Sequence, residues 1–162
     1  MIPLTEDSNT SATSVPDPIR PVRLQAEGAG GRGVVLAVDD KPYIRQLLVT
    51  DLGLQGYTVL EAADGESALE ISLRERPDVV LLDLLMPGLD GYEVLRRLRG
   101  DPATADIPVI ILSAKTEIDG PPAVPGAQGY LVKPFDLDDL ESQVAHWVEY
   151  SRQNRSAPWL ST

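Results

Sequence analysis

The sequence predicts an α/β fold in which helices cover both faces of a doubly wound, five-stranded parallel sheet. Five short apolar runs alternate with segments of helical periodicity from residue 34 onward. Continuous apolar runs are typical of parallel strands buried on both faces, and their alternation with helices is typical of βαβ units. A chain of 162 residues is long enough for one such domain, which we expect at 33–150.

Each predicted element is bounded by residues that start or stop regular structure. The predicted strands are the apolar runs at 34–38, 57–60, 79–82, 109–112 and 130–132. The predicted helices begin at a proline, a glycine or a capping aspartate, namely Pro42, Asp64, Gly91 and Asp136. The first helix presents one apolar face, formed by Ile44, Leu47, Leu48 and Leu52. The last presents another, formed by Leu137, Leu140, Val144 and Val148.

The connection between the fourth and fifth strands lacks the signals of a helix. Residues 120–129 contain three prolines and three glycines. Because both residue types oppose a regular helix, we expect an extended loop or at most one helical turn at 118–128. The helix between these strands is therefore predicted to be missing or much reduced.

The two ends of the chain have compositions unlike the middle. Residues 1–32 are rich in proline, serine, threonine and glycine, which predicts a disordered arm, with a tether or a docking peptide as the alternative. Residues 151–162 are expected to form a tail, in which Trp159 could pack on the domain or fray. We expect no further domain, because only one predicted helix and the tail follow Lys133. We expect a cytoplasmic protein, because signal-peptide and membrane-span patterns are absent. The lack of cysteine excludes disulfides and thiolate metal sites.

The net charge of −11 comes from the middle of the chain, where residues 33–150 hold 21 acidic and 9 basic side chains. So acidic a surface without a basic patch disfavours nucleic acid as a direct partner. Cations and basic protein surfaces are the expected partners.

Four of the five predicted strands are followed by a polar residue capable of chemistry. Asp39 and Asp40 follow the first strand, Asp83 the third, Ser113 the fourth and Lys133 the fifth. Parallel strands place their carboxyl ends on one edge of the sheet, where ligands bind in open α/β folds. We therefore expect these side chains to meet in one crevice.

The charges of this crevice predict a metal ion and a phosphoryl group. Three carboxylates repel one another, and Lys133 supplies only one positive charge, so a hard divalent cation such as Mg²⁺ is expected. Zinc is disfavoured because no histidine or cysteine is predicted at this edge. The single histidine, His146, lies off the apolar stripe of the last helix, where we expect it to be exposed. A carboxylate beside Mg²⁺ can attack phosphorus, which would form an aspartyl phosphate on Asp83.

The motifs resemble those of the response-regulator receiver domain of two-component signalling, over about residues 33–150. The resemblance rests on four segments: Val38-Asp39-Asp40, Asp83-Leu84-Leu85-Met86-Pro87 with Asp90-Gly91, Leu112-Ser113-Ala114-Lys115, and Tyr130-Leu131-Val132-Lys133-Pro134-Phe135. It implies the strand order 2-1-3-4-5 of flavodoxin-like folds. It also implies a phosphoacceptor signalling domain rather than an enzyme, with a histidine kinase or histidine phosphotransfer protein as the donor.

The resemblance assigns a role to each residue at the sheet edge. Asp83 would be the phosphoacceptor, and Asp83, Asp40 and the backbone carbonyl of Leu85 would bind Mg²⁺ directly. Asp39 would act on the metal largely through water. Ser113 and Lys133 would bind the phosphoryl group. Ser113 and Tyr130 would form the switch that passes phosphorylation to a downstream protein.

Three departures from the family pattern stand out. Lys41 replaces an acidic residue, either as a solvated loop lysine or as a charge that tunes the metal site. Leu85 cannot orient an attacking water, which predicts a long-lived phosphoryl group, although Lys115 could contact that group.

The altered 118–128 segment puts the usual homodimer face in doubt. It also keeps open a phosphorylation-independent adaptor function; a Mg²⁺-dependent hydrolase is disfavoured because such enzymes usually carry an acid at the position of Leu85.

Overall fold

The computed structural model describes residues 31–114 and 124–155, with only the backbone of Arg155. The strands are β1 (Gly33–Val38), β2 (Tyr57–Ala62), β3 (Val79–Asp83), β4 (Val109–Ser113) and β5 (Gly129–Val132). The helices of the described part are α1 (Pro42–Leu54), α2 (Gly65–Glu75), α3 (Gly91–Gly100) and α4 (Leu137–Arg155). The strands are all parallel and lie in the order β2-β1-β3-β4-β5, which confirms the predicted fold.

Apolar side chains from the sheet form one core on each of its faces. The first core packs beneath α2 and α3 and includes Leu36, Leu82, Ile71 and Leu98. The second packs beneath α1 and α4 and includes Leu81, Leu48, Leu140 and Val144. Every residue of β3 and β4 is buried, as expected of central strands covered on both faces.

Aspartates precede three of the four described helices, whereas α1 follows Lys41 and has no side-chain cap. The carboxylate of Asp64 accepts a hydrogen bond from the Ser67 N–H at 2.8 Å, and that of Asp90 accepts one from the Glu93 N–H at 3.0 Å. The Asp136 carboxylate accepts one from the Asp138 N–H at 2.8 Å. These bonds satisfy amide groups that the first helical turn leaves without partners.

The apolar face predicted for α1 is narrower than expected. Leu48 and Leu52 are completely buried and Ile44 is partly buried, but Leu47 is 40% exposed. Leu47 adjoins Leu48 in sequence, and a helix turns by about 100° per residue, so both cannot face the sheet fully.

The last helix extends into the segment predicted as a tail. Helix α4 continues through Ser151 to Arg155, so the prediction of a tail beginning at residue 151 was wrong. The Ser151 hydroxyl is buried and donates a hydrogen bond to the Asp78 carbonyl at 2.7 Å. The Asp78 carboxylate in turn accepts the Val34 N–H at 2.8 Å. These bonds fix the end of α4 against the amino-terminal edge of the sheet.

Replacing Ser151 with alanine is expected to lower the free energy of unfolding by about 1 kcal/mol, because the buried Asp78 carbonyl loses this donor. Urea unfolding followed by circular dichroism would measure the change. Ser142→Ala is the matched control on the exposed side of α4 and is expected to change stability by less than about 0.5 kcal/mol. Equal effects of the two substitutions would contradict the role of Ser151.

The domain also begins slightly earlier than predicted. Arg32 lies within the predicted arm, yet its N–H donates to the Gly56 carbonyl at 3.1 Å. Its guanidinium lies 4.7 Å from the centroid of the Tyr57 ring. Arg32 therefore belongs to the folded domain. Residues 1–30 of the predicted arm lie outside the described residues, whereas Gly31 is described.

The β4–β5 connection is described only at its ends. Residues 124–128 contain no helix, and residues 115–123, on which the rest of that prediction falls, lie outside the described residues. The described end is held by Arg99, which donates to the Gly126 carbonyl and to the Gln128 side chain, each at 2.9 Å. Lys115 and Trp159 also lie outside the described residues.

No helix in the described ranges is both long and apolar enough to cross a membrane.

Candidate functional site

The carboxyl ends of β1 and β3 bring three carboxylates together, as the sequence predicts. Asp39 and Asp40 directly follow β1, and Asp83 is the last residue of β3. One oxygen from each of the three carboxylates lies within 4.8 Å of the others. Asp39 and Asp83 are buried, whereas the Asp40 side chain is 29% exposed. The site is therefore a small acidic pocket, open to solvent on the side of Asp40.

The Asp83 carboxylate is buried but only partly satisfied. Its Oδ1 atom accepts the Leu85 N–H at 3.2 Å, while its buried Oδ2 atom accepts no hydrogen bond within the described structure. Burial and the charge of Asp39 raise the pKa of Asp83 above its ordinary value, against the lowering effects of the Leu85 N–H and Lys133. An oxygen in this state is available to an incoming cation or electrophile.

Lys133 crosses from β5 to the two buried acids. Its Nζ atom lies 2.6 Å from Asp39 Oδ2 and 3.7 Å from Asp83 Oδ2. The Lys133 N–H donates to the Ser113 carbonyl at 2.9 Å, which fixes the backbone of Lys133 beside β4. The ammonium group thus neutralises part of the buried negative charge and faces the same Asp83 oxygen that lacks a hydrogen bond.

Two basic residues lie beside the pocket: Lys41, which directly precedes α1, and Arg45, in the first turn of α1. The Lys41 ammonium lies 3.3 Å from Asp40 Oδ1, and the Lys41 N–H donates to Asp39 Oδ1 at 2.9 Å. Arg45 donates to the Asp39 carbonyl at 2.7 Å and pairs with Glu61 at 3.1 Å. Arg45 was not predicted as a site residue; its only signal in the sequence is a cation in the first turn of a helix that follows two acids.

The remaining predicted residues lie where the strand pattern places them. Ser113 is fully buried at the end of β4. Tyr130 is partly buried on β5 and packs against the core beneath α2 and α3. Leu85, two residues after Asp83, has a side chain that is 53% exposed. His146 is exposed on α4 and makes an edge contact with Trp147, as predicted for a surface residue.

The turn between β3 and α3 requires glycine at position 91. A Cβ atom on Gly91 would lie 2.6 Å from the Leu84 Cα and well inside van der Waals contact with the Asp83 carbonyl oxygen. The Gly91 N–H also donates to the Leu84 carbonyl at 3.0 Å. This close backbone approach fixes the direction in which the chain leaves Asp83.

The donor set fits a hard divalent cation. Three carboxylates converge, one carboxylate oxygen lacks a hydrogen bond, and thiol or imidazole ligands are absent from the cluster. Oxygen ligands of this kind suit Mg²⁺, which usually retains several waters. The pocket can therefore hold Mg²⁺ next to a buried carboxylate and an ammonium group.

The sequence resembles curated transcriptional regulators. The chain is 44% identical over 129 residues to the probable transcriptional regulator ycf27 of Porphyridium aerugineum, covering 76% of this chain and 52% of that protein. It is 40% identical over 114 residues to the DNA-binding dual master transcriptional regulator RpaA of a Synechocystis strain, covering 68% of this chain and 46% of that protein. The chain thus spans about half the length of these relatives.

Solved structures share the same fold. The chemotaxis protein CheY4 of Vibrio cholerae is 35% identical, with a TM-score of 0.63, covering 70% of this chain and 96% of that chain. The receiver domain of the sensor histidine kinase PA1611 from Pseudomonas aeruginosa, solved with magnesium coordinated in its active-site cleft, is 31% identical. Its TM-score is 0.67, covering 75% of this chain and 99% of that chain.

The family model of the response regulator receiver domain matches residues 35–145. That range contains the acidic pocket, Ser113 and Lys133, and it ends within α4. The match agrees with the resemblance that the sequence motifs indicate and with the strand order of the sheet. The chain belongs to the response regulator receiver domain family.

Proposed function

We propose that this chain receives a phosphoryl group on Asp83 from a histidine kinase or a histidine phosphotransfer protein and signals through protein–protein interaction. The observation that carries the proposal is the Asp83 carboxylate, buried between Asp39 and Lys133 with one oxygen free of hydrogen bonds. A carboxylate in this setting is poised to act as a nucleophile once its charge is balanced.

The proposed step transfers a phosphoryl group between two side chains. An Asp83 oxygen attacks the phosphorus of a phosphohistidine, the new O–P bond forms and the P–N bond breaks. The imidazole of the donor leaves and takes up a proton from solvent. The Lys133 ammonium then pairs with one phosphoryl oxygen and the Ser113 hydroxyl donates a hydrogen bond to another.

Asp40, Asp83 and the backbone carbonyl of Leu85 would hold Mg²⁺, with Asp39 acting largely through water. When bound, the metal supplies positive charge that balances the acidic pocket and the phosphoryl oxygens. This role is consistent with the convergence of the three carboxylates within 4.8 Å.

The conformational change that follows phosphorylation would be transmitted through residues of β4 and β5. Ser113 would move towards the new phosphoryl group, and the Tyr130 ring would swing inward, shifting an equilibrium between two arrangements of the neighbouring loops and helices. Because the surface of the domain is strongly acidic, we propose a protein rather than a nucleic acid as its direct target. The RpaA relative is a DNA-binding transcriptional regulator, and DNA binding is not proposed for residues 33–150 of this chain.

Intact-mass measurement after incubation with Mg²⁺ and acetyl phosphate tests the proposal. We expect an adduct of one phosphoryl group on the wild-type chain and none on Asp83→Asn or when EDTA removes the metal. Asp90→Asn is a matched control, because Asp90 is a nearby aspartate that caps α3, and it is expected to keep the adduct. The absence of an adduct on the wild type would contradict the proposal and favour a phosphorylation-independent adaptor.

We also expect the phosphoryl group to persist for minutes or longer. The side chain of Leu85 cannot hydrogen-bond to an attacking water, and it is exposed beside the pocket rather than directed into the core. Loss of the adduct after removal of the phosphodonor would measure the lifetime. Complete loss within seconds would contradict this expectation.

A further inference from the structure

We propose that Lys41 is a built-in competitor of Mg²⁺, whose ammonium group occupies Asp40 and weakens metal binding at the acidic pocket. This inference rests on the proposed function, because it takes the pocket as the site of Mg²⁺. It makes Lys41 a positioning residue that sets the Mg²⁺ concentration at which Asp83 becomes phosphorylated.

The backbone of Lys41 is anchored within the site. Its N–H donates to Asp39 Oδ1 at 2.9 Å, which places the start of its side chain directly beside the acids. From there the ammonium group reaches Asp40 Oδ1 at 3.3 Å. Lys41 therefore contacts two of the three acids, through its backbone and its side chain respectively.

The charge of Lys41 interacts with the whole acidic pocket. Its ammonium group lies 3.3 Å from Asp40 Oδ1, and one oxygen from each of the Asp39, Asp40 and Asp83 carboxylates lies within 4.8 Å of the others. A lysine side chain beside these carboxylates is a cation at neutral pH. A divalent cation that binds the same carboxylates must repel this ammonium group and displace it from Asp40.

The two lysines of the pocket differ in how readily they can be displaced. Lys133 is held by the buried Asp39 and is only 15% exposed, whereas Lys41 is 44% exposed and pairs with the most exposed of the three acids. An exposed ion pair contributes little and exchanges readily with solvent. Lys41 can thus move aside for the metal while Lys133 stays in place for the phosphoryl group.

Isothermal titration calorimetry of the full chain with MgCl₂ at constant ionic strength tests this competition. Lys41→Gln is expected to bind Mg²⁺ about three- to tenfold more tightly than the wild type, because it removes the repulsion and frees Asp40. Lys41→Arg keeps the positive charge and is expected to stay within about twofold of the wild type.

Arg74→Gln provides a matched control for the change in net charge. Arg74 is 41% exposed and pairs with Glu75 at 3.3 Å, much as Lys41 pairs with Asp40. It lies in the last turn of α2, which leads to the start of β3 and thus to the opposite edge of the sheet. Its substitution is expected to change Mg²⁺ affinity by less than about twofold.

Salt gives a second readout that a purely structural effect would not produce. The charge of an exposed lysine is screened by salt, so the affinity difference between wild type and Lys41→Gln should shrink as NaCl rises from 0.05 to about 0.5 M. A difference that stays constant with salt would overturn the electrostatic competition.

The outcomes separate this inference from the proposed function. Equal Mg²⁺ affinity of the wild type and Lys41→Gln, with phosphorylation of Asp83 intact, would overturn the inference alone. Tighter binding by Lys41→Gln with no phosphoryl adduct on Asp83 would support the inference and overturn the proposed function alone. Failure of both proteins to bind Mg²⁺ would overturn both.

Discussion

Replacing Gly91 with alanine is expected to lower the free energy of unfolding by about 3 kcal/mol or more. The added methyl group would clash with backbone atoms of Asp83 and Leu84, which cannot rotate aside as a flexible side chain could. Leu84 is fully buried, so relief of the clash would disturb the core as well as the pocket. Urea unfolding of the two proteins, with midpoints and slopes compared, would measure the loss.

Gly100→Ala is the matched control for this prediction. Gly100 is the last residue of the same helix, and a Cβ atom there would meet nothing within 4 Å. Alanine favours helix over glycine, so this substitution is expected to be neutral or to stabilise by up to about 1 kcal/mol. A Gly91→Ala protein as stable as Gly100→Ala would show that the β3–α3 turn does not depend on close backbone contact.

The acidic pocket could be predicted from sequence because its members follow directly from the strands. Asp39, Asp83 and Ser113 each end an apolar run, and the parallel arrangement then places these ends on one edge. This inference needs only strand direction, which the βαβ alternation determines. The order of the strands came instead from the family resemblance, and the structure confirms it.

Hydrogen bonds from side chains to distant backbone carbonyls could not be predicted in this way. Ser151 donates to the Asp78 carbonyl across 73 residues, and Arg99 donates to the carbonyls of Gly126, Ala105 and Ile107. A carbonyl acceptor exists at every residue, so no side-chain pattern marks which one will be used. The extension of α4 beyond residue 150 and the anchoring of residues 126–128 follow from such bonds.

Helix periodicity predicted which side of a helix faces the core more reliably than it predicted the exact rotation of the helix about its axis. It identified Leu48 and Leu52 as core residues of α1 but also included Leu47, which is partly exposed. The rotation of α1 is determined by its packing against β1, β2 and α4, which the sequence of the helix alone does not contain. Arg45 was missed for the same reason, because its contacts with Asp39 and Glu61 depend on that rotation.

Asp83→Asn is expected to abolish phosphorylation and to raise the free energy of unfolding at neutral pH, without Mg²⁺, by about 1–3 kcal/mol. The wild-type carboxylate is buried beside Asp39 with one oxygen lacking a hydrogen bond, and burial raises its pKa. Because the folded state then holds the Asp83 proton more tightly than the unfolded chain, stability falls as pH rises from about 3.8 through the raised pKa. Above that pKa, the unfavourable free energy of burying the charged Asp83 carboxylate is fully present. The neutral amide of the Asp83→Asn variant avoids this loss of stability.

Chemical unfolding between pH 4 and 8 would measure the difference in the free energy of unfolding and its dependence on pH. Asp106→Asn is the control. Asp106 is 73% exposed, and its loss is expected to change stability by less than about 0.5 kcal/mol. Added Mg²⁺ should stabilise the wild type more than Asp83→Asn, because the variant lacks one ligand, and so should narrow the gap between them. An Asp83→Asn protein less stable than the wild type in EDTA would contradict this account. The expected result means that the fold gives up stability to keep an unsatisfied carboxylate available for the metal and the phosphoryl group.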